Sequence, residues 1–333
     1  MTNNILPFAA PTEVGATDCR QQADMPASVI DLFQVPCKAR KEASANRNAP
    51  SETALTPADV WSAICDERVC VHYQPQYNIR SGEMVAAEAL VRLVDTAGQL
   101  VYPDRFIELT EQSDLIALLG RAVIKQVCAD MASHRKEGGV LERVAINLSA
   151  HQLNVDRQLS DFVDEVLTGH GLQHSDLEFE LTERQELKPN ADGMAVLRTL
   201  AARGARIVID DFGMGYSSVA YLTLSDLPIS AIKLDRAMVA RLPADQRMRS
   251  VVNSLLALAA ELGLEVMAEG VETTAQNEYL AGIGCPLAQG FGYARPMGIR
   301  ELRDFIADNE AGNNGSIYSE RSLNTESALT IRA

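Results

Sequence analysis

Between residues 69 and 289, short β-branched or alternating apolar runs take turns with longer stretches of helical period, and this alternation constrains the fold more than any other feature. The runs are Val69–Gln74, Met84–Val91, Arg143–Leu148, Leu177–Leu181, Arg206–Asp210, Ser230–Leu234, Glu265–Ala268 and Pro286–Gln289, eight in all. Helical stretches over Pro103–Leu118, Gly120–Arg135, Leu159–Thr168, Ala191–Arg203, Ala244–Leu262, Thr274–Ala281 and Ile299–Ala307 fill the gaps. Strand–helix alternation implies a mainly parallel sheet, and eight strands imply closure into an α/β barrel.

One connection is too short for a helix. Arg80-Ser81-Gly82-Glu83 reads as a tight hairpin turn, so the first two strands are expected to be antiparallel. With Ser81-Gly82 as a two-residue loop, Pro75 pairs with Glu88 and Gln74 lies beside Ala89. The hairpin thereby brings Gln74 to the same rim as the Glu88 segment.

Each run carries a polar residue at or just beyond its later half, and in a parallel barrel the strand ends form the active face. Glu88, Asn147, Glu180 and Asp210 lie late in four successive strand candidates. Clustered carboxylates repel and drift toward protonation unless a cation joins them. Oxygen ligands with one neutral amide among them suit Mg²⁺ or Mn²⁺ better than Zn²⁺. Asp211 follows Asp210 directly, and adjacent side chains on an extended chain diverge. Two ions sharing Asp210, with Asp211 holding the second, resolve that geometry. Ions about 3.5–4 Å apart clamp the attacking and leaving oxygens of an in-line displacement at phosphorus.

Lys233 is placed to hold the attacking oxygen or to neutralise phosphoryl charge, and Glu269 to accept a proton or bind metal. Arg92 offers a positive partner for phosphate, and Gln74 and Gln289 suit the orientation of water or substrate. Singly, each residue has a plainer reading, since an Asp after a strand is most often a turn former and Asn147-Leu148-Ser149 a helix cap. Joint placement at one end of successive strands favours the functional reading. Asp211-Phe212-Gly213 matches the magnesium-binding triplet of protein kinases, but no glycine-rich phosphate loop, upstream strand lysine or His-Arg-Asp loop accompanies it. The polar stretch Gly213 to Ser218 that follows reads as an active-site or interface loop.

The chain has 333 residues with 47% hydrophobic content, enough for one barrel-sized domain with tails. Its net charge of -15 disfavours broad binding to DNA or an anionic membrane. Met1 to Phe8 lack a secretion signal and no apolar run spans a bilayer, so a cytoplasmic location is expected. Six scattered cysteines without a CxxC pair argue against a zinc or disulfide framework. Residues 1–55, rich in Ala, Pro, Asn, Ser and Thr, read as a leader outside the folded domain. Within it Ser28 to Phe33 is either a helical turn that docks on the body or a protein partner, or a sticky stretch without fixed structure. The barrel is expected over 56–310 and a fraying tail over 311–333.

Several segments in order resemble the EAL-domain phosphodiesterases of cyclic di-GMP. They are Tyr73-Gln74-Pro75, Glu88-Ala89-Leu90-Val91-Arg92, Asn147-Leu148-Ser149, Glu180-Leu181-Thr182-Glu183, Asp210-Asp211-Phe212-Gly213 with Gly215-Tyr216-Ser217-Ser218, Lys233-Leu234-Asp235-Arg236, Ala268-Glu269-Gly270-Val271-Glu272-Thr273 and Gln289-Gly290. The resemblance implies a TIM-like (β/α)8 barrel with an antiparallel first strand. It implies that Glu88, Asn147, Glu180 and Asp210 bind one Mg²⁺ or Mn²⁺ ion, with Asp210 and Asp211 serving a second. Lys233, Glu269 and Gln289 would position or activate water, Gln74, Leu90 and Arg92 would line the substrate groove, and Glu272 would anchor the loop after Asp211 at a homodimer contact. Cleavage of one 3′,5′ linkage would give linear pGpG, lowering the messenger and favouring motility over biofilm growth. Leu93 stands where members often carry Trp and Met214 where Thr is usual; Thr223 to Pro228 is about two residues longer than the common pattern, and Gly292 to Pro296 is an unusual closing segment. The alternatives are a non-catalytic barrel that binds the nucleotide or a partner protein, and a metallohydrolase of another phosphodiester.

Overall fold

The structure, a computed structural model, describes residues 55–139, 141–182, 190–213, 222 and 228–310. The expected tail 311–333, all but one residue of the leader, and most of the loop after Asp211 lie outside the described residues, as does the added length at Thr223 to Leu227.

Ten strands are described: β1 (Val69–Asn78), β2 (Met84–Val94), β3 (Leu100–Val101), β4 (Val144–Asn147), β5 (Leu177–Thr182), β6 (Arg206–Phe212), β7 (Ala231–Leu234), β8 (Glu265–Ala268), β9 (Leu287–Ala288) and β10 (Met297–Gly298). Eight close the barrel in the order β1-β2-β4-β5-β6-β7-β8-β9, with β9 returning to β1. Pairings from β2 to β9 are parallel, whereas β1 runs antiparallel to both neighbours. The short β3 extends the sheet beside β2 and β10 beside β1, and both were absent from the sequence reading.

The helices are α1 (Pro57–Cys65), α2 (Ile107–Gln112), α3 (Leu115–Lys136), α4 (Ala150–Val155), α5 (Leu159–His170), α6 (Ala191–Ala202), α7 (Arg236–Val239), α8 (Gln246–Glu261), α9 (Thr274–Gly282) and α10 (Ile299–Glu310). None of the described helices is long and apolar enough to cross a membrane. The expected break near Leu119 lies instead at Ser113-Asp114, where Asp114 adopts a left-handed backbone. Gly120 lies inside α3, and the Gln152 amide occupies the space its Cβ would fill, 2.2 Å from Nε2.

Period two along each strand sends alternate side chains to the lumen and to the helices. The helix-facing set, including Val144, Ile146, Phe179, Ile207, Ile209, Ile232 and Val266, packs with Val127, Met131, Leu153, Leu167 and Leu197 in one buried core. Each such Leu, Ile or Phe contributes about 1.5–3 kcal/mol on burial. The lumen is polar at both ends. At the strand starts, Glu178 pairs with Arg143 (3.3 Å) and Arg206 (3.0 Å), and Arg206 with Glu265 (2.6 Å). These ion pairs close the base and leave the strand ends open for chemistry.

The hairpin register differs by one from the two-residue loop reading. Gln74 is opposite Glu88 and Pro75 opposite Ala87, with an irregularity at Gln76/Tyr77. The turn is longer because Asn78 holds it: its Oδ1 accepts from the Arg80 and Ser81 amides, and its carbonyl from the Gly82 amide. Gly82 supplies the positive φ of 72° that the turn requires.

Candidate active site

Carboxylates from β2, β5, β6 and the residue after β8 converge on Lys233, which is fully buried near the end of β7. Its Nζ lies 2.6 Å from Glu269 Oε1, 2.8 Å from Glu180 Oε1, 3.4 Å from Glu88 Oε2 and 3.6 Å from Asp210 Oδ1. Lumen parity explains the convergence. Glu88 on β2, Glu180 on β5, Asp210 on β6 and Lys233 on β7 occupy inward positions, and Glu269 and Gln289 directly follow β8 and β9.

Glu88 is fixed from two sides: Oε1 accepts from Asn147 Nδ2 at 2.9 Å, and Oε2 from Gln289 Nε2 at 2.5 Å. Asn147 thus retains Oδ1 as the oxygen it can offer a cation. Gln289 Nε2 also donates to Gln74 Oε1 (3.2 Å), and Gln289 Oε1 accepts from Gln76 Nε2 (2.9 Å). Gln76, fully buried, is a positioning residue that sequence reasoning missed. Its signal was the Gln74-x-Gln76 spacing, which puts both amides on one face of β1. Gly290 lets the chain cross tightly behind Gln289, since a Cβ there would sit 2.2 Å from the Val271 carbonyl oxygen.

The adjacent Asp210 and Asp211 come together through a strand irregularity. The β6–β7 register shifts between Ile209 and Phe212, and Asp211 takes a φ of 55°. That bend defeats the divergence of neighbouring side chains, and the Asp211 amide donates to Asp210 Oδ1 at 2.8 Å. Carboxylate oxygens of Asp210, Asp211 and Glu269 all lie within 4.8 Å of one another. Glu180 is completely buried, and neither oxygen has a hydrogen-bond partner among the described residues; the Lys233 ammonium is close but off the hydrogen-bonding direction. Together with the Asp210, Asp211 and Glu269 oxygens, these two buried Glu180 oxygens without a hydrogen bond form a hard oxygen donor set that fits divalent ions.

Electrostatics follow from burial. Burial, opposed by Lys233 and reinforced by Asp210 and Glu88, raises the Glu269 carboxyl to about 8. Burial likewise pushes Glu180 well above its ordinary range. For Glu88, burial is outweighed by Lys233 and by hydrogen bonds from Gln289 and Asn147, and the carboxyl moves down. Burial also disfavours a charged Lys233, but Asp210, Glu180, Glu269 and Glu88 overcome it and hold the ammonium charged.

The remaining expected site residues lie at the margin. Leu90 is half-buried, and Arg92, buried, donates from Nη1 to the Val91 carbonyl while its guanidinium covers the Tyr102 ring 4.9 Å from the centroid. Glu272 is exposed; its amide donates to Gln276 Oε1, and the loop it was expected to anchor lies outside the described residues.

Fold and site together define a (β/α)8 barrel protein with an acidic, cation-accepting rim at the strand ends. The EAL domain family profile matches residues 58–296, and the chain belongs to that family. It is 36% identical over 266 residues to the bifunctional diguanylate cyclase/cyclic di-GMP phosphodiesterase MucR of Pseudomonas aeruginosa, covering 80% of this chain and 38% of MucR. It is 37% identical over 235 residues to the cyclic di-GMP phosphodiesterase PdeR of Escherichia coli, covering 71% of this chain and 35% of PdeR. The chain thus spans little more than a third of either relative's length. Among solved structures, the PaMucR phosphodiesterase in complex with c-di-GMP superposes with a TM-score of 0.67 at 36% identity, over 74% of this chain and 98% of that one.

Proposed function

We propose that this chain hydrolyses one 3′,5′ linkage of cyclic di-GMP to linear pGpG with divalent cations, lowering the messenger. The observation that carries the reading is the convergence of Glu88, Asn147, Glu180, Asp210, Asp211 and Glu269 around Lys233, in a member of the EAL family. Its likeness to MucR and PdeR supports the choice of substrate.

Glu88, Asn147, Glu180 and Asp210 would hold one Mg²⁺ or Mn²⁺ ion, and Asp210 with Asp211 a second. When bound, such ions supply Lewis acidity toward the phosphoryl group and lower the pKa of water. The chain's own residues do the rest. Lys233, surrounded by carboxylates and shut away from solvent, offers fixed positive charge to the developing phosphoryl negative charge rather than a site for protons. Glu269, at the mouth with 17% of its side chain exposed, has access to water and would accept the proton once cations beside it had lowered its carboxyl from about 8. Gln289, locked by Gln76 and bonded to Gln74, orients the attacking oxygen relative to Glu88. Gln74, Leu90 and Arg92 line the approach.

The test is incubation of the purified full chain with cyclic di-GMP and Mg²⁺ or Mn²⁺, with nucleotide products separated by chromatography and Glu88→Ala as control. Accumulation of pGpG by the parent alone is expected. Tight nucleotide binding without product would replace the enzyme with a non-catalytic receptor, and faster turnover of a linear dinucleotide would move the substrate class.

A further inference from the structure

The active-site rim carries an exposed aromatic ring with an arginine fixed behind it. Strands β2 and β3 pair antiparallel with Leu93 opposite Val101 and Val94 opposite Leu100, so the same register brings Tyr102 opposite Arg92. Residues directly opposite in such a pair share a face. Arg92 shares its face with Leu90 and Glu88, so Tyr102 stands on the side of the strand that carries Glu88. Four residues of extended strand place Arg92 about 13 Å from Glu88 along β2.

The Arg92 guanidinium lies 4.9 Å from the Tyr102 centroid. One ring face is thereby covered by a buried cation, tethered through Nη1 to the Val91 carbonyl at 2.7 Å. Tyr102 is nevertheless 53% exposed, the most exposed of the large hydrophobic side chains among the described residues. Pro103 follows at once and begins a single 3-10 turn, which stiffens the backbone carrying the ring. A ring held from behind, open in front and on the same side of β2 as the acidic cluster has the form of a stacking platform.

We propose that Tyr102 stacks one purine base of the dinucleotide while its phosphate sits at the acidic rim, with Arg92 as the positioning residue that holds the ring. This rests on the phosphodiesterase reading above and adds a substrate-binding residue to it. Tyr102 sets affinity for base-bearing phosphodiesters and leaves the chemistry at phosphorus to the carboxylates and Lys233.

The experiment is steady-state kinetics of the full chain with Mn²⁺ on cyclic di-GMP and on methyl p-nitrophenyl phosphate, which carries no purine. Tyr102→Ala and Tyr102→Leu are expected to raise KM for cyclic di-GMP roughly tenfold, within the roughly 5- to 150-fold range of one base–aromatic stack, and to change kcat far less. The loss on cyclic di-GMP should exceed that on the simple diester by a similar factor, and Tyr102→Phe and Tyr102→Trp should recover the parent KM. An unchanged KM in both aliphatic variants, a Phe variant as defective as the Ala variant, or equal losses on the two substrates overturns the proposal. A parent inactive on cyclic di-GMP sinks the phosphodiesterase reading instead; the same four variants are then compared by equilibrium titration with cyclic di-GMP, where Tyr102→Ala binding as tightly as the parent overturns the platform.

Discussion

Replacing Lys233 by Met keeps the length of the side chain and removes the cation at the centre of Glu88, Glu180, Asp210 and Glu269, whose oxygens lie 2.6–3.6 Å from Nζ. Removing one partner from a buried ionic cluster costs about 3–5 kcal/mol. Proton uptake gives an independent figure. The variant can restore its charge balance if a carboxyl such as Glu88, with an ordinary value of 4.5, takes a proton that the unfolded chain does not hold. At pH 7 that uptake costs about 3 kcal/mol, and at pH 5 about 1 kcal/mol. For a domain of this size the pH 7 deficit corresponds to a fall in Tm of roughly 6–12 °C.

The sign is set by proton counting. Glu269 is raised from 4.5 to about 8 by burial against the pull of Lys233, so the folded parent holds more protons than the unfolded chain between those values. Parental stability contributed by this group is therefore complete below about pH 4.5 and is lost as pH rises toward 8. The Met variant requires a further proton and must lose stability more steeply over the same window. Thermal unfolding in EDTA at half-unit steps from pH 5 to 7.5 reads the difference, and saturating Mn²⁺ should shrink it by supplying the missing charge. A deficit that is flat across this range, or a variant as stable as the parent at pH 7.5 in EDTA, refutes the claim that Lys233 is the counter-ion of the cluster.

Gly290→Ala drives a Cβ to 2.2 Å from the Val271 carbonyl oxygen and 2.3 Å from its nitrogen, both backbone atoms; a loss of about 1–3 kcal/mol in denaturant unfolding and reduced turnover through displacement of Gln289 are expected. Asp211→Asn should leave Tm in EDTA nearly unchanged, because Asn tolerates the φ of 55°, yet weaken Mn²⁺ binding about tenfold or more by calorimetric titration. Glu178→Ala, at the barrel base, should cost about 3 kcal/mol, the low end for a buried ionic cluster because Arg143 and Arg206 keep partial access to water, while turnover per folded molecule stays within about twofold.

The barrel was legible because its strands carry two signals at once. Apolar alternation marks where they lie, and polar residues late in the runs, at Glu88, Asn147, Glu180, Asp210 and Lys233, mark the end that carries the acidic cluster. Short elements carry too few residues to show a period: β3 and β10 have two residues each, and α7 four. The break lies at the polar Ser113-Asp114, whereas it was expected at Leu119, beside Gly120, and glycine is a common helix interruption. Gly120 is not one, and the reason for that glycine lies in Gln152, 32 positions away and supplied by another helix. Gln76 was hidden for a related reason: its partner Gln289 is more than 200 positions distant.

The Asp210-Asp211 pair shows why such sites resist reading from sequence even when each carboxylate is singled out. Alternation along a strand assigns the two carboxylates to opposite sides, so their cooperation demands a local violation of the pattern that located the strand. The structure meets that demand with a shift of register against β7 and a left-handed Asp211, a conformation that costs a non-glycine residue of order 1 kcal/mol or more. Phe212 regains its pairing with Leu234 immediately beyond the bend. The strain is intelligible as the means by which two neighbouring acids reach one rim, where Glu269 completes the cluster. Asp is among the residues that accept a left-handed backbone best, so the residue type that suits a hard cation also lowers the cost of presenting it.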